Sequence, residues 1–215
     1  MEAVTQLLKP ATDYWLLTDR FKDIEGFLEP IEGYALHTMA AFGPGKGEIV
    51  EIGSLYGRST CYLASGSARN GRGGVYAIDT FKGSKEHQVG EQGEQTAIAT
   101  DGSTLKIFLQ NIATHRFDEK VKPIVNESSK AASEWSKSIR LLFIDGDHSY
   151  EGTRKDFLDW SPFVPESGLI AFHDVTTWDG VTQFYNEISQ LDEWKEVLAV
   201  GTIRVIQRLP HGESE

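Results

Sequence analysis

Two short stretches hold most of the side chains that could do chemistry. The first, Glu51-Ile52-Gly53-Ser54-Leu55-Tyr56-Gly57-Arg58-Ser59, sets a carboxylate before two spaced glycines, and Asp79 follows Gly53 by 26 residues. Glycines at such a turn let a ligand approach the backbone. A helix starting there offers its first amides, and an acidic residue farther along accepts hydrogen bonds from ribose hydroxyls. Together these suit a nucleoside-containing cofactor. The dinucleotide pattern G-x-G-x-x-G is not met, because Leu55 stands where a second glycine would admit a pyrophosphate. G-x-x-x-G therefore argues for a cofactor without phosphates. Glu51 would also repel a pyrophosphate but could help to hold a cation. The plainer alternative is that Gly53 and Gly57 only make a tight turn.

The second stretch supplies Asp145, Asp147 and His148, and a later one His173 and Asp174. Two or three oxygens with an open position can hold Mg²⁺. An imidazole, with an ordinary pKa of about 6.5, suits removing a proton from a hydroxyl near neutral pH. The competing reading is a loop hydrogen-bond network, with His173 tied into packing at the end of a strand.

These residues need elements to position them. Apolar runs at 47–54, 74–81, 121–128, 139–147 and 168–175 read as strands, and 59–68, 105–112, 130–136, 153–163 and 181–191 as helices between them. Runs at 194–200 and 202–209, joined at Gly201, read as a hairpin. The alternation implies an α/β fold: a Rossmann-like, doubly wound, mostly parallel sheet with helices on both faces and a C-terminal antiparallel hairpin at or near one edge. Ligands of such sheets bind outside the carboxyl ends of the strands, where Glu51, Asp79, Asp145, Asp147, His148, His173 and Asp174 fall. Residues 1–42 read as a helical segment broken at Pro10 and near Pro30, residues 43–210 as the main domain and 211–215 as a tail. The polar 82–103 segment shows no apolar period and suits a lid over the substrate or a disordered loop. Within it Glu91, Glu94 and Asp101 read as a solvated face. Trp160, spaced with Phe157 and Phe163, reads as core. Trp135 and Trp178 are candidates to flank a site, and Cys61 reads as buried packing.

The 215 residues suit one domain, with 40% hydrophobic and 25% charged residues and a net charge of −11. That charge disfavours nucleic acid and anionic lipid and favours a small-molecule substrate. No apolar run is long enough to span a bilayer, and no secretory signal opens the chain. The single cysteine points to a reducing, cytoplasmic setting. A homodimer is compatible with all of this.

E-I-G-S-L-Y-G-R-S followed by V-Y-A-I-D-T-F resembles class I methyltransferases, with the catechol O-methyltransferase type of glycine motif. F-I-D-G-D-H-S-Y-E-G, D-F-L-D-W-S-P-F-V and G-L-I-A-F-H-D-V resemble bacterial methyltransferase family 24. Relatives of that family include sugar O-methyltransferases of macrolide biosynthesis and cephalosporin-hydroxylase-like proteins. The resemblance covers about residues 45–190 and leaves the first 40 residues without a counterpart. It implies a methyltransferase dependent on S-adenosylmethionine (SAM), acting on a small-molecule hydroxyl. Glu51, Gly53, Ser54, Gly57, Ser59, Asp79, Thr80 and Asp145 would hold SAM, with the glycines at its methionine part and Asp79 at its ribose. Asp145, His173 and Asp174 would hold Mg²⁺ or another divalent cation. His173 departs from the family's usual Glu or Asp, which favours a softer ion or none. His148 matches the family's general base, with Asp145 beside it in catalysis. The alternative is a non-catalytic or NAD-type nucleotide-binding Rossmann protein.

Overall fold

In the computed structural model, which describes residues 2–84, 88, 90 and 95–210, the five apolar runs are parallel strands. In chain order the elements are α1 (Glu2–Phe21), α2 (Pro30–Phe42), β1 (Glu48–Ile52), α3 (Arg58–Arg69), β2 (Val75–Asp79), α4 (Thr96–Asp101), α5 (Leu105–Thr114) and β3 (Val121–Val125). They continue with α6 (Ser128–Ser133), β4 (Ile139–Ile144), α7 (Tyr150–Trp160), a 3₁₀ turn (Ser161–Phe163), β5 (Leu169–Phe172), α8 (Asp179–Ile188), β6 (Trp194–Val200) and β7 (Ile203–Arg208). The sheet order is β3-β2-β1-β4-β5-β7-β6. β7 runs antiparallel to both β5 and β6, so the expected antiparallel strand lies one place in from the edge.

Because side chains alternate across a strand, each strand feeds two cores. Ile49, Ala77, Leu141, Phe143 and Ala171 face α1, α2, α3 and α5. Val50, Ile78, Leu142, Ile170 and Phe172 face α6, α7 and α8. β4 is buried at all its positions, as befits a central parallel strand covered on both faces.

The chain winds outward in opposite directions from β1 and β4, and this reversal opens a crevice at their carboxyl ends. Their register pairs Ile52 with Ile144, which brings Gly53 and Asp145 side by side.

Three local expectations change. α1 runs through Pro10 without a break; Leu17 and Phe21, farther along it, are buried in the core, and that packing outweighs the lost backbone bond. Part of the polar 82–103 segment is helical, as α4, with Ala97 and Ile98 buried. The remainder of the expected lid, including Glu91 and Glu94, and the 211–215 tail lie outside the described residues. Trp160 is core, as expected, and donates through Nε1 to Ser128 Oγ at 2.8 Å. Trp135 packs edge-on against Tyr76 and Trp160 and does not line the cavity described below. Cys61 is buried packing, its thiol pushed up to about 12 by burial. Among the described residues no helix is long and apolar enough to cross a membrane.

Candidate active site

After β1 the chain turns at Gly53, whose φ is +83°. A Cβ there would lie 1.9 Å from the Asp145 carbonyl oxygen. The ends of β1 and β4 therefore touch, and only glycine fits between them. The turn is fastened by Asp79 at the end of β2. Its Oδ2 accepts from the amides of Ser54 (2.8 Å) and Leu55 (3.0 Å), and its Oδ1 from that of Phe81 (2.7 Å). Leu55 is held at a φ of +46°.

Beneath the turn lies Glu51, with no exposed surface. Its Oε2 accepts from the hydroxyls of Ser54 (2.8 Å) and Thr60. Burial pushes its pKa up to about 7, against the pull of the Ser59, Thr60 and Ser54 hydroxyls. Glu51 was expected to touch the cofactor, but it braces the turn from below and is absent from the cavity wall. Gly57 is likewise absent from the cavity wall. It opens α3, and a Cβ there would meet the Phe108 ring at 3.0 Å, so it serves helix packing.

A cavity of about 450 Å³ lies above the turn. Gly53, Ser54, Ser59, Asp79, Thr80, Asp145, His148, His173 and Asp174 all line it, as the sequence suggested. Asp147 and Asn126 join them, as does Phe27 from the α1–α2 connection. The wall carries many carboxylates, which suits a ligand with cationic groups.

His148 lies just ahead of Ser149, whose side chain caps α7 by accepting from Gly152 N–H at 3.0 Å. Its Nε2 is 3.5 Å from Asp174 Oδ2 and 3.7 Å from Asp145 Oδ1. Its ring stacks on Trp178 at 5.0 Å and 9°, and Trp178 remains 41% exposed. Trp178 thus flanks the site by holding the plane of the imidazole. Burial works to raise the pKa of Asp145, but His173 and His148 hold it down to about 2. Asp174 is raised, chiefly by burial.

His173 is placed differently from the expectation. Its side chain is 4% exposed, with Nδ1 3.0 Å from Asp145 Oδ1 and Nε2 3.2 Å from Glu32 Oε2. Burial opposes its charge, yet Asp145, Glu32 and Asp174 raise its pKa to about 11. Its two ring nitrogens thus face Asp145 and Glu32. Among the described residues, Asp145, His148 and Asp174 have ligand atoms within 4.8 Å of one another, so the structure groups His148, where the sequence suggested His173, with the two carboxylates.

Glu32, on α2, went unnoticed in the sequence. Glu29-Pro30-Ile31-Glu32 has the form of a capping box, which the structure bears out. That pattern signals a helix start, and nothing local ties Glu32 to a histidine 141 positions away.

Comparison with known proteins fits this geometry. Residues 50–175 match the methyltransferase 24 family, described as a methyltransferase domain. Over 147 residues the chain is 27% identical to the uncharacterized protein y4gI of Sinorhizobium fredii, covering 66% of this chain but only 15% of that much longer protein. An O-methyltransferase from Bacillus cereus, solved in complex with SAH, superposes with a TM-score of 0.60 at 16% identity over 96% of this chain and 97% of that one. The O-methyltransferase TomG from Streptomyces achromogenes, involved in tomaymycin synthesis and solved in complex with SAM, gives 0.62 at 14% identity over 97% and 95%. At these identities the structural likeness speaks for the fold.

Proposed function

The chain belongs to this methyltransferase family; from that premise we propose that it is an S-adenosylmethionine-dependent methyltransferase that acts on a hydroxyl oxygen of a small molecule. The observation that carries the proposal is the placement of His148 Nε2 between Asp145 and Asp174, beside the glycine turn and in the same cavity. When bound, SAM would supply a methyl group already activated on a sulfonium. The chain must align the acceptor oxygen with that methyl and take up the proton it releases. His148 would accept at Nε2 the proton that the acceptor hydroxyl gives up. The flanking carboxylates favour the resulting imidazolium, and Trp178 keeps the ring in plane. Gly53, Ser54 and Ser59 line the part of the cavity nearest the turn, and Asp79 offers carboxylate acceptors to ribose hydroxyls while fastening the loop.

One observation favours a second reading. Two carboxylates and an imidazole within 4.8 Å of one another suit a divalent cation, and such an ion would lower the pKa of an acceptor hydroxyl. His148 would then be a ligand and could not serve as the base. Chelation separates the readings: activity that survives exhaustive EDTA treatment supports the base.

The net charge of −11 supports a small-molecule acceptor over nucleic acid. The test is methyl-labelled SAM offered with a panel of small hydroxyl compounds, alongside calorimetric titration with SAM and with NAD. Binding of NAD and not SAM by the folded chain would overturn the proposal.

A further inference from the structure

Glu32 is 1% exposed and lies outside the 50–175 region that carries the methyltransferase match. Both its oxygens are engaged. Oε1 accepts from Thr202 N–H (2.6 Å) and the Thr202 hydroxyl (2.9 Å), and Oε2 accepts from Glu29 N–H (2.9 Å) and faces His173 Nε2 at 3.2 Å. The β6–β7 turn is shaped around this carboxylate: a Cβ at Gly201 would lie 2.3 Å from Glu32 Oε1. Across the ring, His173 Nδ1 is 3.0 Å from Asp145 Oδ1. The imidazole is therefore a bar between a carboxylate on α2 and a carboxylate that lines the cavity. A buried donor without an acceptor is costly, so a ring that lost Glu32 would turn toward another partner and release Asp145.

We propose that Glu32 is a positioning residue: acting through His173, it fixes the plane of the Asp145 carboxylate, so that a carboxylate on α2 helps to shape a site built mainly at the carboxyl ends of the central strands. Groups that orient the residues touching a ligand commonly matter almost as much as those residues themselves. The inference rests on the proposed function, with Asp145 lining the cavity that would hold SAM.

The experiment uses the full chain and the variants Glu32→Gln, His173→Gln and the double variant. Two readouts are taken: calorimetric affinity for SAM, and the low-field imidazole N–H resonances of ¹⁵N-labelled protein, assigned by their loss in His173→Gln. Glu32→Gln should weaken SAM binding about tenfold, the low end for loss of an orienting partner. In the His173→Gln background the same change should matter by less than about twofold, because the two act along one path. Glu32→Gln should also displace the Nδ1 proton that faces Asp145, and not only the Nε2 proton that faces residue 32. Glu32→Asp keeps the charge but draws it back from His173, and should give the same pattern where the glutamine variant does not fold. Equal losses in both backgrounds, or unchanged affinity in folded variants, would overturn the proposal. Failure of the wild-type chain to bind SAM would instead count against the functional reading. An undisturbed Nδ1 proton in Glu32→Gln would then sink the positioning role by itself.

Discussion

Replacing Glu51 by glutamine should remove a pH dependence from the stability of the fold. Glutamine keeps the shape and an oxygen to accept from Ser54 and Thr60, but it cannot ionise. Burial raises the Glu51 pKa from 4.5 to about 7. The folded state therefore holds this proton more tightly than the unfolded state does. Its contribution is fully present below 4.5 and is lost as pH rises through about 7. At about 1.4 kcal/mol for each pH unit in that window, the wild-type chain should lose about 3 kcal/mol relative to Glu51→Gln between pH 4.5 and 7.5. Asp156, raised by burial from 3.8 to about 6, slopes the same way, but it is present in both proteins and cancels in the difference. Urea unfolding at several pH values across the window measures the effect. Parallel stability curves for the two proteins would refute the reasoning and would mean that Glu51 is ionised throughout.

Gly53→Ala should destabilise the fold strongly. A side chain at positive φ and a collision with the Asp145 carbonyl together cost about 2–5 kcal/mol, and a wild-type urea midpoint would contradict that. Asp79→Ala should weaken SAM binding by about 1.5–3 kcal/mol and also lower the melting temperature, since two turn amides lose their acceptor; calorimetry and thermal melts read the two effects separately. His148→Ala should slow turnover by about 10²–10⁴ with SAM affinity nearly unchanged. Turnover at the wild-type rate in that variant would move the deprotonation to another group.

Much of this molecule could be read from sequence because its information is local. Each central parallel strand is an apolar run buried on both faces, such as Ile139–Ile144, and each is followed by the polar residues that ligands meet. Gly53, Asp79, Asp145 and His148 were found that way and do share one cavity. What misled was direction. Glu51 lies on β1 beside the site and His173 lines the cavity, but where each side chain's polar atoms go depends on partners elsewhere in the chain. Glu51 turns toward Thr60, while His173 turns toward Glu32. The same limit applies to α1, where Pro10 argues locally for a break but the core contacts of Leu17 and Phe21 decide otherwise.

The contact between Glu32 and Thr202 spans 170 positions, and that separation sets an order of events during translation. α2 leaves the ribosome early, and at about 5–20 residues per second the β6–β7 turn follows roughly ten to thirty seconds later. In the last part of that interval, once residue 173 has been added, the nascent chain carries Asp145 and His173 while Glu32 still lacks the amide and hydroxyl that hold its Oε1. The Glu32–Thr202 contact is therefore among the last to form, and a chain released short of position 202 has the glycine turn and the histidines but not the clasp that joins α2 to the β6–β7 turn.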